Sequence, residues 1–173
     1  MYFVSDNASR FILNHKIDQK VSWETNKNLI FEAYAKYGNN SHSIELVTDG
    51  GPENIANEFK SAVKSLSINP LIALKDITFS NNAAESKHRV LKYGYFYRHS
   101  FQDAAELEKF AEKAVFEYNH IRPHCALQGR TPYEAFMGIQ IDKDALLLKK
   151  QEAKRLRIEQ NRKDRCDKCP KLP

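Results

Sequence analysis

Three cysteines among 173 residues, Cys125, Cys166 and Cys169, are too few and too irregularly spaced for a disulfide framework. Their scarcity makes a reducing cytosol the expected setting. No apolar run approaches the ~20 residues that a membrane-spanning helix needs. The opening "MYFV" gives way at once to the polar "SDNASR", so no secretory leader is expected. A glycine-rich phosphate loop is missing as well, because "DGG" is too short to be one. No internal repeat is visible. Secreted disulfide scaffolds, membrane proteins and P-loop nucleotide enzymes are thereby set aside. A chain of this length can bury a core without covalent staples.

Charge is present but unevenly placed. The net charge is +5, and residues 142–173 hold 11 of the 27 Lys/Arg but only 6 of the 22 Asp/Glu. The rest of the chain is neutral. Positive charge gathered at one end suggests a polyanionic partner, most simply nucleic acid. A solvated basic tail without a specific partner is the bland alternative.

Hydrophobic spacing predicts an α/β order. "YFV" and "FILNHKI" read as strands joined by the turn "SDNASR". "NKNLIFEAYAKYG" reads as a helix with Leu29, Ile30, Ala33, Tyr34 and Tyr37 on one face, closed by Gly38. "IELVTD" is a strand that delivers Asp49 at its carboxyl end. "IANEFKSAVKSL" reads as one helix with Ile55, Phe59, Val63 and Leu66 aligned, and "PLIALK" as a strand. After the loop "DITFSNN", "AAESKHRVLKYGYFYR" is helical at least to Tyr93. "SFQDAAELEKFAEKAVFEYNHIRP" is a helix stopped by Pro123, with Ser100 and Asp103 as its capping box. Leu107, Phe110, Ala114 and Tyr118 form its apolar stripe. Thr131, Pro132 and Glu134 mark a further helix start. The charged segment "DALLLKKQEAKRLRIEQNRKDR" reads as a helix whose apolar positions sustain no heptad.

Strands alternating with helices predict a mixed sheet, and such sheets hold ligands at strand carboxyl ends. Asp49 occupies one such end, and Glu85 lies in the first turns of a helix. Thirty-five residues separate them. Taken singly, an Asp before Gly-Gly is usually a turn residue, and a Glu in a first helical turn a dipole partner. Together with their flanks they say more. "TDGGPEN", the gap of 35, "NNAAE", "RVLK" and "YNHIRPHCALQGRTPYEAF" occur in order, after "DNASR" near the start. In these pieces the chain resembles the DDE transposases of bacterial insertion sequences and the retroviral integrases that share their core, over residues 1 to about 138.

The resemblance implies a ribonuclease-H-like fold, a mixed sheet with flanking helices. It implies an integrase-type core over 1–138 and a basic helical tail over 139–173. It also implies metal-dependent phosphoryl transfer on DNA in transposition, through two Mg²⁺ or Mn²⁺ ions held by three carboxylates. Asp49 and Glu85 would be two of the three catalytic, metal-binding acids. Arg89 and Lys92, four and seven residues past Glu85, share its helical face and would contact DNA phosphate. Glu53 and Asn54 would touch the DNA end. A bacterial, nucleoid-associated setting and a homo-oligomer, without a membrane, are implied likewise.

The family's first acid, an Asp-x-Thr on the first and central strand, has no counterpart in this chain. "DNASR" matches a later element, so Asp6 marks the second strand. The expectation is an N-terminally truncated core, inactive alone, with a gap near ~10 Å where the central strand belongs. The flanking strands could instead pair anew and carry Asp6 towards Asp49, but side-chain facing and register would both have to cooperate. A non-catalytic DNA-binding or assembly module is the alternative function. His120, His124, Cys125, Cys166 and Cys169 invite a zinc reading, yet one Cys-x-x-Cys is half a site and Pro123 separates the histidines. Trp23 reads as packing near the first helix.

Overall fold

The computed structural model describes residues 1–163 except 19, 21, 39–42, 74, 77–81 and 141. Contacts divide the chain into two compact units, Met1–Gly138 and Ile139–Pro173.

The first unit begins with an antiparallel hairpin of β1 (Tyr2–Ser5) and β2 (Ile12–Lys16), with Tyr2 opposite Lys16. Its turn is built by Asp6, whose carboxylate accepts the Ser9 backbone N–H at 2.6 Å and the Ser9 hydroxyl. Arg10 follows with φ at +66°. "DNASR" is therefore a self-bonded turn of the kind short acids favour. Helix α1 (Trp23–Tyr37) starts three residues before the apolar pattern indicates. Ser22 caps it, accepting the Thr25 N–H at 3.1 Å. At its end a side chain on Gly38 would collide with the Tyr34 carbonyl, so glycine fits there.

Strand β3 (Ile44–Thr48) is followed by α2 (Pro52–Ile55), α3 (Asn57–Lys64) and β4 (Ile68–Ile72). The single helix expected over 55–66 is broken, because Ala56 has ψ at 135°. Ile55 is consequently exposed, while Phe59 and Val63 are wholly buried. β4 pairs in parallel with β3, Ile44 opposite Ile68 and Thr48 opposite Ile72. The two short helices supply the crossover that a parallel pair requires. Pro70 is tolerated because β4 has no second neighbour among the described strands.

Helix α4 (Asn82–Gly94) carries Glu85, and α5 (Ala104–His120) packs its Ala114 and Tyr118 inward. The cap of α5 is Asp103 rather than Ser100. Asp103 accepts the Glu106 N–H at 2.8 Å, and Glu106 accepts the Gln102 N–H at 2.7 Å. The cap thus sits three residues later than expected, and the return bond from Glu106 reaches the residue before it. Asn119 ties α5 to the hairpin, accepting the Ile12 N–H and donating to the Ile12 carbonyl, each at 2.9 Å. Helix α6 (Pro132–Phe136) has the capping box of Thr131 and Glu134. The second unit contains α7 (Lys143–Lys163).

Two buried clusters show the layering of the first unit. Val4, Ile44 and Leu46 pack with Ile30 of α1 and Phe59 and Val63 of α3. Met1 and Phe3 pack with Leu91 of α4 and Val115 and Tyr118 of α5. Alternate residues of β1 thus face opposite helix layers, as strand geometry demands. The strands lie between α1/α3 on one side and α4/α5 on the other. They do not form one sheet: β1 pairs with β2 and β3 with β4, as two separate two-stranded sheets. The mixed α/β architecture stands as expected, with the central strand missing among the described residues. The gap is realised, and the flanking strands have not paired anew.

Candidate functional site

Between the two half-sheets lies a cavity of about 580 Å³. Its walls are β1 from Tyr2 to Ser5 and β3 from Ile44 to Thr48. Leu29 and Ile30 of α1 and Ala84 and His88 of α4 also line it, and Asp49, Glu53 and Asn54 surround one end.

Asp49 follows β3 directly and is exposed. Its Oδ1 accepts the Asn54 side-chain amide at 2.7 Å and the Gly51 N–H at 3.2 Å. Asn54 is held in turn, because its Oδ1 accepts from Asn26 of α1 at 3.0 Å. These bonds orient the carboxylate and leave Oδ2 without a protein partner among the described residues. The turn reading of Asp49 and a ligand reading are thus compatible, since one oxygen serves each. Glu53 is half-buried at the same end of the cavity, and its charge helps raise the Tyr2 phenol pKa, after burial.

Glu85 is exposed in the first turn of α4. Its helical neighbours three, four and seven residues on are His88, Arg89 and Lys92, and both cations are exposed. His88 went unremarked in the sequence, although its spacing from Glu85 marked it. It is half-buried and tilted over Phe3, with ring centroids 4.3 Å apart. Burial holds its pKa below the ordinary imidazole range. Lys92, the N-terminal amine and Lys87 push the same way, and Asp49 opposes them. The interaction with Asp49 links the helix bearing Glu85 to the strand bearing Asp49.

Lys87, two residues past Glu85, points away from this face and into the protein. It is 2 % exposed and donates to the Ser5 hydroxyl at 2.7 Å. Burial pushes its pKa down to about 8, with Arg10 adding to the effect and Asp6 opposing it. No pattern signal distinguished this lysine from its exposed neighbours.

The charges fix the relative direction of the two edges. Met1 and Tyr2 interact with His88, Glu53 and Lys92, near Asp49. Ser5 and Asp6 lie towards Lys87 and Arg10. The start of β1 therefore stands beside the end of β3, and the two edges run antiparallel. Asp6 is at the other end of β1, locked to Ser9, and the re-pairing that would carry it towards Asp49 does not occur.

Among the described residues, no group of three or more His, Cys, Asp or Glu side chains is arranged to hold a metal. That includes the zinc candidates. His120 stacks on Phe116 at 4.7 Å, while His124 meets the edge of Tyr118 at 5.0 Å, and Cys125 is exposed. Cys166 and Cys169 lie outside the described residues.

Solved structures resemble this chain in fold. The BIV integrase catalytic core aligns with a TM-score of 0.60 and 20 % identity, over 78 % of this chain and 82 % of that one. The fold is that of an integrase catalytic core. The HTLV-2 integrase core in complex with magnesium gives 0.57 at 16 % identity, over 76 % of this chain and 79 % of that one. The simian T-cell lymphotropic virus intasome gives 0.54 at 21 %, over 68 % of this chain, which spans only 41 % of that chain's length. Residues 79–132, which include Glu85, Arg89 and Lys92, match the family described as the integrase core domain. No curated protein matches significantly. In the second unit, the side chains of α7 from Asp144 to Lys163 are exposed, apart from the half-buried Leu146. They include seven Lys/Arg against three Asp/Glu. No helix of the described residues is long and apolar enough to cross a membrane.

Proposed function

We propose that the chain supplies most of a DDE-type strand-transferase core of bacterial insertion-sequence kind, acting in DNA transposition, and that alone it does not turn over. One observation carries this reading. Asp49, oriented by Asn54, stands at a strand end beside the helix of Glu85, in an integrase fold, with one carboxylate oxygen unbonded among the described residues. Asp49 and Glu85 are the hard oxygen donors that would hold Mg²⁺ or Mn²⁺, and nothing in the Asp49 bonding opposes it. Such a cation supplies Lewis-acid polarisation of a scissile phosphate. The chain's own groups do the rest. Arg89 and Lys92 bind backbone phosphate, and Glu53 and Asn54 border the DNA end. Two carboxylates beside an open cavity leave the cation weakly held, which is why turnover is not expected. The role belongs with a bacterial nucleoid and, since the HTLV-2 core occurs in dimeric and trimeric forms, with self-association.

The test is nicking and strand transfer on plasmid DNA in Mg²⁺ or Mn²⁺. Expected is no turnover, with Mn²⁺-dependent DNA binding that Glu85→Gln removes. Turnover abolished by Glu85→Gln would overturn the inactive reading, and DNA binding indifferent to Arg89→Ala and Lys92→Ala would remove the phosphate contacts. A second reading, a non-catalytic DNA-binding or assembly module, rests on the exposed basic surface of α7. It requires duplex binding that weakens steeply with salt and is lost on deleting residues 142–173.

A further inference from the structure

Helix α4 ends in aromatic residues that the Asp49–Glu85 site does not use. Tyr93 touches Tyr97, which belongs to the 3₁₀ turn Phe96–Arg98, edge to face with ring centroids 5.1 Å apart. The two are 63 % and 66 % exposed. Tyr95 and Phe96, which lie between them in the chain, pack instead on Leu91, Val115 and Tyr118 of the core. A single exposed apolar residue is ordinary. Two large rings held against each other in water offer flat apolar surface that neither buried cluster uses. We propose that Tyr93 and Tyr97 form a stacking platform for the unpaired bases of a single-stranded DNA segment.

The charges around the rings select this occupant. From Asn82 to Phe101 the one acid is Glu85, against Lys87, Arg89, Lys92 and Arg98. Lys87 is buried, and the other three cations are exposed. Arg89 stands one helical turn before Tyr93 and so beside it. Lys92 precedes Tyr93 directly, and Arg98 follows Tyr97. Rings interleaved with cations match a polyanion that carries flat apolar groups, and every base has a π-face to stack. In a duplex those faces are covered by neighbouring bases, so the match is to an unpaired strand. Aliphatic anchors for a protein groove or a lipid surface are not exposed on this helix, since Leu91 is buried and Val90 half-buried. The rings also fix where the unpaired bases lie. Tyr93 is eight residues past Glu85, ~12 Å along the helix. Stacked nucleotides advance ~3.4 Å each, so a strand with a phosphate at Glu85 brings bases about three to four nucleotides away to Tyr93. That placement rests on the transferase reading of Glu85, whereas the platform itself does not.

The test is binding of the full chain, at one fixed salt concentration, to three fluorescein-labelled probes read by anisotropy. They are oligo-dT, the abasic sugar-phosphate strand of the same length, and the duplex of oligo-dT with oligo-dA. Expected is oligo-dT binding at least about tenfold tighter than the abasic strand, which carries the same charge without bases. Tyr93→Ala with Tyr97→Ala should remove that advantage, and Tyr93→Phe with Tyr97→Phe should keep it. Duplex affinity should change less than about twofold in either pair. Equal binding of the two single strands by the wild-type chain overturns the proposal, whatever the variants do. Loss of the advantage in the phenylalanine pair traces it to the hydroxyl groups and overturns stacking. A loss on the duplex as large as that on oligo-dT overturns it too. Oligo-dT binding that Arg89→Ala and Lys92→Ala weaken, but the alanine pair does not, refutes the platform and leaves the transferase reading standing. Binding that needs the rings but is indifferent to Arg89→Ala and Lys92→Ala supports the platform and removes the phosphate contacts from that reading.

Discussion

Replacing Lys87 with methionine stabilises the protein at neutral pH and removes a defined piece of its pH dependence. The wild-type ammonium is buried against Ser5, and its pKa falls from 10.5 to about 8. In the unfolded chain the same group keeps its ordinary value. Between pH 8 and 10.5 the unfolded state therefore binds more protons at this site than the folded state, and stability rises with pH. A shift of that size corresponds to about 3 kcal/mol, fully felt as a cost below pH 8 and relieved by pH 10.5. Methionine has a similar reach and no charge, and it forfeits one hydrogen bond to Ser5, worth about 1 kcal/mol. The net expectation is a gain of about 2 kcal/mol at pH 7. Urea unfolding of both proteins, from pH 6.5 to 10, reads the difference directly. Burial raises the pKa of Tyr118 to about 12 and also raises that of Tyr95, which lowers stability at high pH in both proteins and cancels in the comparison. The variant's advantage should shrink steadily above pH 8. A constant difference across the range, or a variant less stable at pH 7, would refute the burial of a strained ammonium.

Two further outcomes are expected. Asn119→Ala leaves both the N–H and the carbonyl of Ile12 buried without partners, and it should cost about 2–4 kcal/mol in urea unfolding. A loss below about 1 kcal/mol would show that α5 is not anchored to the hairpin through this residue. Asn54→Ala frees the Asp49 carboxylate from its orienting amide while leaving both acids in place. Mn²⁺ affinity should fall several-fold with global stability nearly unchanged, and unchanged affinity would deny Asn54 its positioning role.

Much of this was legible in the chain. The element order follows from periodicity, and Thr131 with Glu134 forms the expected box because their chemistry is local. The layered fold was legible through motif spacing, since Asp49 and Glu85 sit where strand and helix ends had to be. What escaped was decided by tertiary contact or by backbone angles. A break at Ala56 leaves no mark in the apolar spacing of Ile55, Phe59 and Val63. Asp103 displaces Ser100 as a cap because the preceding residues take another path. The burial of Lys87 and the place of His88 depend on β1 lying against α4, which no local pattern encodes. Asp6 stays away from Asp49 for a related reason. The direction of β1 relative to β3 is fixed across the gap, and Ser9 already satisfies its carboxylate.

The central claim is that Asp49 and Glu85 act together as the cation-binding acids of an integrase-type core that is incomplete in its sheet. The most direct measurement is a Mn²⁺ titration followed by electron paramagnetic resonance, on the full chain and on Asp49→Asn and Glu85→Gln. The account predicts weak binding, in the millimolar range, that either substitution abolishes without altering the fold. Binding left intact by both substitutions, or lost with only one of them, would contradict it.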